Sequence, residues 1–291
     1  MQNDLLVNNT LRRIKMLNSQ QISKIKKMFK NTDGLLISAG AGIGVDSGLP
    51  DFRGNQGMWQ AYPELGKQRI EFSSIANPNA FHDAPTLAWG FYGHRLKLYR
   101  QTTPHQGFPL LKKLSEMLDL PYFIFTSNVD GQFQKAGFDE HLIYECHGSI
   151  HHLQCLAVCE NQIWSAEKIQ LRIDQNRCEW LGELPKCPHC HGLSRPNILM
   201  FDDYDWINSR SNIQAQYLKQ WLKQRHQPIV IELGAGTAIP TVRNFGEKFA
   251  PNLIRINPRE HDLHPNQGMS IATGALTGIQ EIINALEIQA F

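Results

Sequence analysis

Four cysteines in the middle of the chain have the spacing of a metal site. Cys155 and Cys159 form one pair, and Cys187 and Cys190 form a second pair with two intervening residues. Paired cysteines at such spacing are typical of structural zinc, which thiolates bind in a tetrahedral arrangement. Because four thiolates fill the tetrahedron, we expect the metal to fold the surrounding segment and to take no part in a reaction.

A glycine-rich segment at 38–54 has residue types suited to holding phosphates. Gly40, Ala41 and Gly42 directly follow an apolar run. Glycines after a strand allow the backbone to approach a pyrophosphate and to direct N–H groups at it. The spacing differs from the dinucleotide fingerprint, because Val45 occupies the position of the third glycine. By itself the segment is equally compatible with a tight structural turn.

Polar side chains follow two further apolar runs. Asn128 and Asp130 come after the run at 122–126, and His147 follows the run at 142–146. Parallel sheets bind ligands at the carboxyl ends of their strands, and an imidazole with a pKa of about 6.5 suits a general base at neutral pH. Two plainer interpretations remain open, with Asp130 as a helix cap and His147 as a structural histidine.

Apolar runs that alternate with helical periodicity predict the fold class. The predicted strands are 34–38, 122–126, 142–146, 229–233 and 253–257. The predicted helices include 87–99, 107–117, 213–223 and 274–286. Strands alternating with helices indicate an α/β fold with a doubly wound parallel sheet covered on both faces.

The alternation breaks once along the chain, and the break predicts the domain organisation. The stretch at 149–195 holds the paired cysteines and several histidines but no long strand, so we expect an inserted zinc-binding module there. The remainder divides into an N-terminal helical extension at 1–30 and a Rossmann-like domain at 31–148 and 196–291. That domain is expected to carry a small helical insertion at about 60–105.

The composition excludes several classes of protein. Of the 291 residues, 42% are hydrophobic and 19% are charged, and the formal net charge is +2. This balance gives no electrostatic footprint for nucleic acid or a membrane surface, and no apolar stretch is long enough to span a membrane. Because the N-terminus lacks the pattern of a secretory signal, we expect a cytoplasmic protein with reduced cysteines. The oligomeric state is left open.

The whole segment at 38–54, SAGAGIGVDSGLPDFRG, resembles the signature of the sirtuin family, and the resemblance continues over residues 34–286. It implies a domain that binds NAD as a co-substrate. The residues it assigns to NAD in this segment are Gly40, Ala41, Gly42, Asp51, Phe52 and Arg53. Arg53 is implied to meet a phosphate and Phe52 to cover the reacting ribose. Sirtuins usually carry serine where this chain has Gly44.

The same resemblance gives roles to the polar residues at the strand ends. The family pattern at 126–130 is Thr-Gln-Asn-Ile-Asp, so Asn128 is implied to orient the ribose and a water, and Asp130 to hold the nicotinamide carboxamide. Ser127, implied to contact NAD, replaces the glutamine and shortens the hydrogen-bonding arm. His147 precedes a glycine, as the catalytic histidine of the family does, and is implied to be the general base.

Later segments are implied to complete the two substrate sites. Gly236 and Thr237 resemble the family's phosphate-lining loop, and Asn257 its asparagine beside the adenine-side ribose. The segment at 195–203 resembles the stretch that holds an acylated-lysine peptide as an added strand. Its implied peptide contacts are Ile198, Leu199 and Phe201. The pair at 202–203 is Asp-Asp where the family has Gly-Glu, which either favours basic residues in the peptide or has no effect.

Tyr92 and Arg95 lie three residues apart in a predicted helix and share one face. In sirtuins that accept malonyl- or succinyl-lysine, a Tyr-x-x-Arg in this region binds the acyl carboxylate. Arginine suits that task because it forms bidentate bonds with carboxylates. Ordinary packing of an amphipathic helix is the alternative.

The family carries a small zinc module after its His-Gly pair, which supports the four-cysteine site. The first cysteine pair of the family usually has two intervening residues, which would place Val158 at the ligand position of this chain. Cys178, His189 or His191 therefore remain alternatives for one zinc ligand.

The resemblance implies NAD-dependent removal of acyl groups from lysine, with release of nicotinamide and O-acyl-ADP-ribose. Acetyl, succinyl and malonyl are the expected acyl groups. The changes at Gly44 and Ser127 leave open an NAD glycohydrolase, and the same loops could serve a non-catalytic NAD-sensing module. The combination of His147, Asn128 and Asp130 argues against a sensor, because a sensor does not need a general base.

Overall fold

A computed structural model of the chain describes residues 17–51, 54–264 and 266–287. Phe52 and Arg53 of the predicted NAD site lie outside the described residues, as do residues 1–16 of the predicted helical extension. The strands are β1 Leu35–Ala39, β2 Tyr122–Thr126, β3 Ile143–Glu145, β4 Gly148–Cys155, β5 Ile163–Ser165, β6 Ile173–Asp174, β7 Glu179–Trp180, β8 Ser194–Ile198, β9 Ile229–Leu233, β10 Leu253–Ile256 and β11 Gly268–Ile271.

The described helices fall into one set before the second strand and one set after it. The first is α1 Ser19–Lys30, α2 Gly54–Ala61, α3 Pro63–Lys67, α4 Phe72–Ile75, α5 Asn79–Asp83, α6 Pro85–Gln101 and α7 Gly107–Met117. The second is α8 Gln132–Lys135, α9 Ser209–Lys223, α10 Thr241–Gly246 and α11 Ala275–Ala285. None of them is both long enough and apolar enough to cross a membrane.

Six parallel strands form the main sheet in the order β3-β2-β1-β9-β10-β11. This is the doubly wound order. The chain first adds β2 and β3 on one side of β1, and it then adds β9, β10 and β11 on the other side. The predicted α/β class is therefore confirmed. All five predicted strands lie in this sheet within one residue of their predicted limits. The sixth strand, β11, was not predicted.

Alternate residues of β1 point into two separate cores. Leu35 and Ile37 pack with Phe108 of α7 and Ile279 of α11 on one face. On the opposite face, Leu36 packs with residues of α9 and α10. Helix α1 buries its own apolar residues in the first core. Helices thus cover both faces of the sheet, which explains why its strands read as continuous apolar runs.

A second, smaller sheet contains the antiparallel order β5-β4-β8, and β6 and β7 form a hairpin beside it. The expectation of no long strand at 149–195 was wrong, because β4 is eight residues long. A register shift between Ser149 and Leu153 interrupts the pairing of β4 with β8. This irregularity, with two half-buried histidines between buried residues, hides the alternation that marks a strand.

Helix α6 joins the smaller sheet to the helical insertion. Its Trp89, Phe91 and Tyr92 are buried in one cluster with apolar residues of β4, β7 and β8. A Cβ on Gly90 would lie 1.9 Å from the carbonyl oxygen of Cys178. Only glycine therefore allows the helix to approach the hairpin so closely.

Candidate active site

A cavity of about 470 Å³ opens at the carboxyl ends of the central strands, where the order of the sheet reverses between β1 and β9. Open α/β sheets bind their ligands at this position. The predicted site residues that line it are Gly40, Ala41, Gly42, Asp51, Tyr92, Arg95, Ser127, Asn128, Asp130, His147, Ile198, Leu199, Phe201, Gly236 and Thr237. Segments far apart in the sequence thus meet at one cavity.

The loops after β1 and β9 form a floor made of backbone. The Gly42 amide donates to the Gly234 carbonyl over 3.1 Å, and a Cβ on Gly42 would lie 2.7 Å from the Gly234 Cα. Gly234 itself has φ +60°, which favours glycine. Such a floor lets a ligand approach the main chain closely, so these residues fit the pyrophosphate of NAD.

The glycine at position 44 has a local packing reason. Gly44 lies in the 3₁₀ helix Ala41–Ser47, and a Cβ at this position would lie 3.1 Å from Leu49 Cδ1. A serine at this position would therefore require Leu49 to move by a few tenths of an ångström.

Asn128 is fixed to the wall of the cavity by a short chain of hydrogen bonds. The Thr126 hydroxyl donates to the Ala39 carbonyl over 2.9 Å and accepts from the Asn128 amide over 3.0 Å. The Asn128 side-chain Nδ2 donates to the Gly40 carbonyl over 3.1 Å. The ends of β1 and β2 therefore hold this side chain in one orientation.

Asp130 both contacts the start of α8 and lines the cavity. Its Oδ1 accepts from the Gln132 amide over 2.9 Å at the start of α8, which is a capping contact, and the same residue lines the cavity. The chain turns at Gly131, with φ +70°, and does not continue extended. Burial raises the pKa of Asp130 to about 6, against the lowering effect of the Gln132 amide.

His147 lies just past β3, where its backbone and its ring have separate contacts. Its carbonyl accepts from the Leu199 amide over 2.9 Å, and its Nε2 lies 3.4 Å from the Thr241 hydroxyl. A Cβ on Gly148 would lie 2.2 Å from the Asn197 carbonyl oxygen, so the His-Gly pair is needed for this approach to β8. Burial lowers the pKa of His147, which keeps the ring neutral and able to accept a proton at neutral pH.

The cavity wall formed by residues 198–201 is held by a buried ion pair. Arg195 donates to both carboxylate oxygens of Asp203, over 2.8 and 2.7 Å, and neither side chain is exposed. Asp203 also accepts from the Met200 amide over 3.2 Å. Asp203 therefore fixes the segment that carries Leu199, and of the two acids at 202–203 only Asp202 has an exposed side chain.

Arg95 lies at the inner end of the cavity among aromatic rings. Its guanidinium carbon is 5.4 to 5.6 Å from the ring centres of Phe91, Tyr92 and Tyr99. Its Nε and Nη2 donate to the Tyr99 hydroxyl over 3.1 and 3.0 Å. Tyr99 was missed by sequence reasoning, although it lies four residues after Arg95 on the same helix, where a side-chain contact is expected.

The loop after β9 is fastened by residues of the loop after β10. Asn257 is fully buried, and its Nδ2 donates to the Ala235 carbonyl over 2.9 Å while its Oδ1 accepts from the Glu260 amide. It is not among the described residues that line the cavity, so a direct contact with the ribose stays a prediction. The Thr237 amide donates to the Glu260 carboxylate over 3.2 Å. No motif in the sequence pointed to Glu260.

The four predicted cysteine ligands come together away from the cavity. All four Sγ atoms of Cys155, Cys159, Cys187 and Cys190 lie within 4.8 Å of one another. The pairs 155–190 and 159–187 are each 3.6 Å apart. A tetrahedral zinc with bonds of about 2.3 Å requires sulfur separations of about 3.8 Å, so the set fits structural zinc.

The extra residue in the first cysteine pair is accommodated by Val158, which has φ +47°. Cys178 lies beside α6, against Gly90, and His189 faces Glu160 at 3.4 Å. Within the described residues, the four cysteines are the set whose ligand atoms converge. Cys178 and the two histidines are therefore not needed as ligands.

Comparison with known proteins identifies the family. A model of the Sir2 family matches residues 40–252, which is well over half of the chain. The chain belongs to the Sir2, or sirtuin, family.

Several named proteins resemble the chain over most of its length. An NAD-dependent protein deacylase of Aquifex aeolicus is 28% identical over 255 residues, covering 85% of this chain and 92% of the relative. The enzyme of the same name from Thermococcus sibiricus is 32% identical over 184 residues, covering 62% and 65%. Among solved structures, a Sir2 homologue in complex with NAD has a TM-score of 0.65 at 22% identity, covering 93% of this chain and 94% of that one. A Sir2 protein bound to a propionylated peptide also has a TM-score of 0.65, at 20% identity, with 92% and 100% covered. At these identities the solved structures establish the fold.

Proposed function

We propose that the protein is an NAD-dependent protein lysine deacylase. The observation that carries the proposal is the placement of a neutral imidazole, His147, in a cavity between a glycine floor and the segment after β8. The floor fits a pyrophosphate, and the segment at 198–201 offers an edge to an acylated-lysine peptide. Relatives covering most of the chain are named as enzymes of this kind.

The proposed roles of the individual residues are those that the family resemblance implies, and their positions in one cavity support them. NAD supplies a ribose carbon open to attack by the acyl oxygen and nicotinamide as the leaving group. Asp130 holds the carboxamide of nicotinamide, and Asn128 orients the ribose. His147 accepts a proton from a ribose hydroxyl, and its neutral state leaves a ring nitrogen ready for that proton. The deprotonated hydroxyl bonds to the acyl carbon, one water is consumed, and the bond between that carbon and the lysine nitrogen breaks, so the products are the free lysine, nicotinamide and O-acyl-ADP-ribose.

Nicotinamide release measured by chromatography, with and without an acetyl-lysine peptide, tests the proposed activity. We expect release to depend on the peptide, and His147→Ala to lower it by about 10²- to 10⁴-fold while NAD binding persists. His82→Ala, at an exposed position on α5, is the control and should retain its activity. Equal release without peptide would identify an NAD glycohydrolase. No release under either condition would contradict both enzymatic proposals.

The acyl preference is a finer proposal, which rests on Arg95. Its guanidinium lies in the cavity with Tyr92, and the residue is only 8% exposed. An acetyl group ends in a methyl and offers no partner to this charge, whereas a succinyl or malonyl group ends in a carboxylate. A charge-assisted bond of this kind contributes about 1.5–3 kcal/mol, or roughly 10- to 150-fold in affinity. We therefore propose that acidic acyl groups are removed at least as well as acetyl.

Replacement of Arg95 by methionine tests the acyl preference, because methionine keeps an apolar stem and removes the charge. We expect Arg95→Met to depress kcat/KM for succinyl and malonyl peptides by about 10-fold or more and to spare the acetyl peptide. Lys97→Met makes the same chemical change on α6 outside the cavity and should alter neither. An equal loss on all three peptides would make Arg95 a structural residue.

A further inference from the structure

A second histidine contacts the backbone of Asp130. His151 lies on β4, and its Nε2 is 2.9 Å from the Asp130 carbonyl oxygen. A carbonyl oxygen only accepts, so Nε2 must carry the proton of this hydrogen bond. Burial lowers the pKa of His151, so the ring is held as the neutral tautomer with its proton on Nε2.

The ring of His151 also fits closely against the turn that follows Asp130. Gly131 has φ +70°, and a Cβ there would lie 2.8 Å from the His151 Nε2 and Cδ2 atoms. The turn and the ring therefore leave no room for a side chain at position 131. The neighbouring Ile150 amide donates to the Val129 carbonyl over 3.0 Å. Two consecutive residues of β4 thus hold two consecutive carbonyls of the loop that carries Asp130.

We infer that His151 is a positioning residue for Asp130. His151 holds the Asp130 backbone through the carbonyl oxygen, and the Gln132 amide donates to the Asp130 carboxylate. Together the two hydrogen bonds fix the position of the Asp130 side chain. The inference rests on the proposed function, in which Asp130 holds the nicotinamide carboxamide. His151 does not itself line the main cavity, but it lines a second cavity of about 320 Å³ that shares Tyr99 and Asp130 with the first.

Loss of the His151 Nε2 donor should weaken the binding of nicotinamide and leave the binding of ADP-ribose unchanged. His151→Phe keeps a ring against Gly131 and removes the Nε2 donor. Loss of one such hydrogen bond is expected to weaken nicotinamide binding by roughly 5- to 10-fold. His151→Gln carries a side-chain amide that can donate to the same carbonyl, and it should restore most of the affinity. ADP-ribose should bind all variants equally, because its phosphates meet the glycine floor.

The adjacent histidine provides a matched control. His152 lines the same second cavity, and its Nδ1 has no hydrogen-bond partner within the described part of the chain. It makes no contact with Asp130 among the hydrogen bonds described. His152→Phe should therefore leave nicotinamide affinity unchanged, although it makes the same chemical substitution one residue away on β4.

Titration calorimetry of nicotinamide into the ADP-ribose-loaded protein tests the inference without requiring turnover. The melting temperature of each variant is recorded to confirm that it is folded. We expect the affinity for nicotinamide to be weakened in His151→Phe, largely restored in His151→Gln and unchanged in His152→Phe. Equal losses in both His151 variants, or no loss in either, overturn the inference. A further outcome is that the variants show the expected affinities for nicotinamide while the wild-type protein releases no nicotinamide from NAD with any acyl peptide. In that case the proposed activity fails and the positioning role stands. If wild-type protein binds no nicotinamide, the positioning role fails as well.

Discussion

Burial shifts the pKa values of Asp130 and His147, which both line the cavity, in opposite directions. It raises the pKa of Asp130 to about 6 and lowers the pKa of His147 below its ordinary value. In both cases the neutral form is favoured, because a charge loses hydration when it is buried. For His147 this suits a proton acceptor. For Asp130 it means that ionisation of the carboxyl group at neutral pH lowers the stability of the folded state.

We expect Asp130→Asn to stabilise the protein at alkaline pH while abolishing turnover. The folded-state pKa of Asp130 is raised from 3.8 to about 6, so its contribution to stability is fully present below about pH 3.8 and is lost as the pH rises through 6. Two pKa units correspond to about 3 kcal/mol, which is an upper limit. Asparagine is neutral at every pH, and its oxygen can still accept from the Gln132 amide. Its advantage should be largest at pH 8 and should shrink as the pH falls below 6.

Denaturant unfolding at pH 8 and pH 5 measures this difference. Asp139→Asn is the matched control, because Asp139 accepts from the His141 amide in the same i to i+2 geometry over 2.9 Å but is exposed. Its effect should not depend on pH in this range. If the two variants behave alike at both pH values, burial is not what sets the ionisation of Asp130.

Residues in motifs could be predicted to belong to the site, and isolated residues could not. Asn128, Asp130 and His147 each follow an apolar run, and parallel strands bring such positions to one edge. His151 and Thr241 contact the site only because β4 and α10 fold back onto it. Nothing in their local sequence records that return, since His151 is 21 residues from Asp130 and Thr241 is 94 residues from His147.

At the scale of elements, β4 links the cysteine cluster to the cavity. It begins at Gly148, directly after His147, and ends at Cys155, a predicted zinc ligand. Its partner β8 leads into the segment at 198–201, which lines the cavity. A metal that fixes Cys155 against Cys190 therefore also fixes one end of the strand that starts at the active site. The boundaries of the module at 149–195 remain a prediction.

We expect one zinc per chain, and we expect its removal to abolish activity without any role in the reaction itself. Without metal, four thiols whose sulfur atoms lie within 4.8 Å lose the bonds that hold the two cysteine loops together. Elemental analysis should give a zinc content near one in the wild type and a low content in Cys190→Ser. Cys146→Ser, outside the cluster, should keep its zinc. Full activity in a zinc-free protein would contradict the structural role.

At the scale of the whole molecule, the cavity lies where two apolar clusters meet. One cluster, on the α9 and α10 face of the main sheet, contributes Ala235 and Val242 to the lining, and the other contains α6 with residues of β4 and β8. The sheet was predictable because its central strands are apolar on both faces. Strand β11 was not, because it has four residues and begins at Gly268, where a Cβ would lie 2.0 Å from the Leu253 carbonyl oxygen. The packing of the β6–β7 hairpin against α6 depends on Gly90, which carries no sequence signal of its own.

An ion pair inside the main sheet ties its second half together. Arg255 of β10 lies directly opposite Glu232 of β9, with Nε and Oε1 2.5 Å apart, and both side chains are 1% exposed. Glu247 contributes a second carboxylate at 2.8 Å from Arg255. These strands lead into the loops that carry Gly234 and Asn257, so the pair lies beneath one side of the cavity.

Arg255→Met should lower the free energy of unfolding by about 3–5 kcal/mol, because it leaves the Glu232 carboxylate buried without its cation. Adding Glu232→Gln should recover much of that loss, since the double variant buries no unpaired charge at this position. Lys26→Met removes an ion pair with Glu287, 2.5 Å long but largely exposed, and should cost less than about 1 kcal/mol. Urea unfolding at pH 7.5 compares the three variants. If Arg255→Met costs no more than Lys26→Met, the pair does not hold the sheet. If the double variant is no more stable than Arg255→Met, the loss comes from packing and not from an unpaired charge.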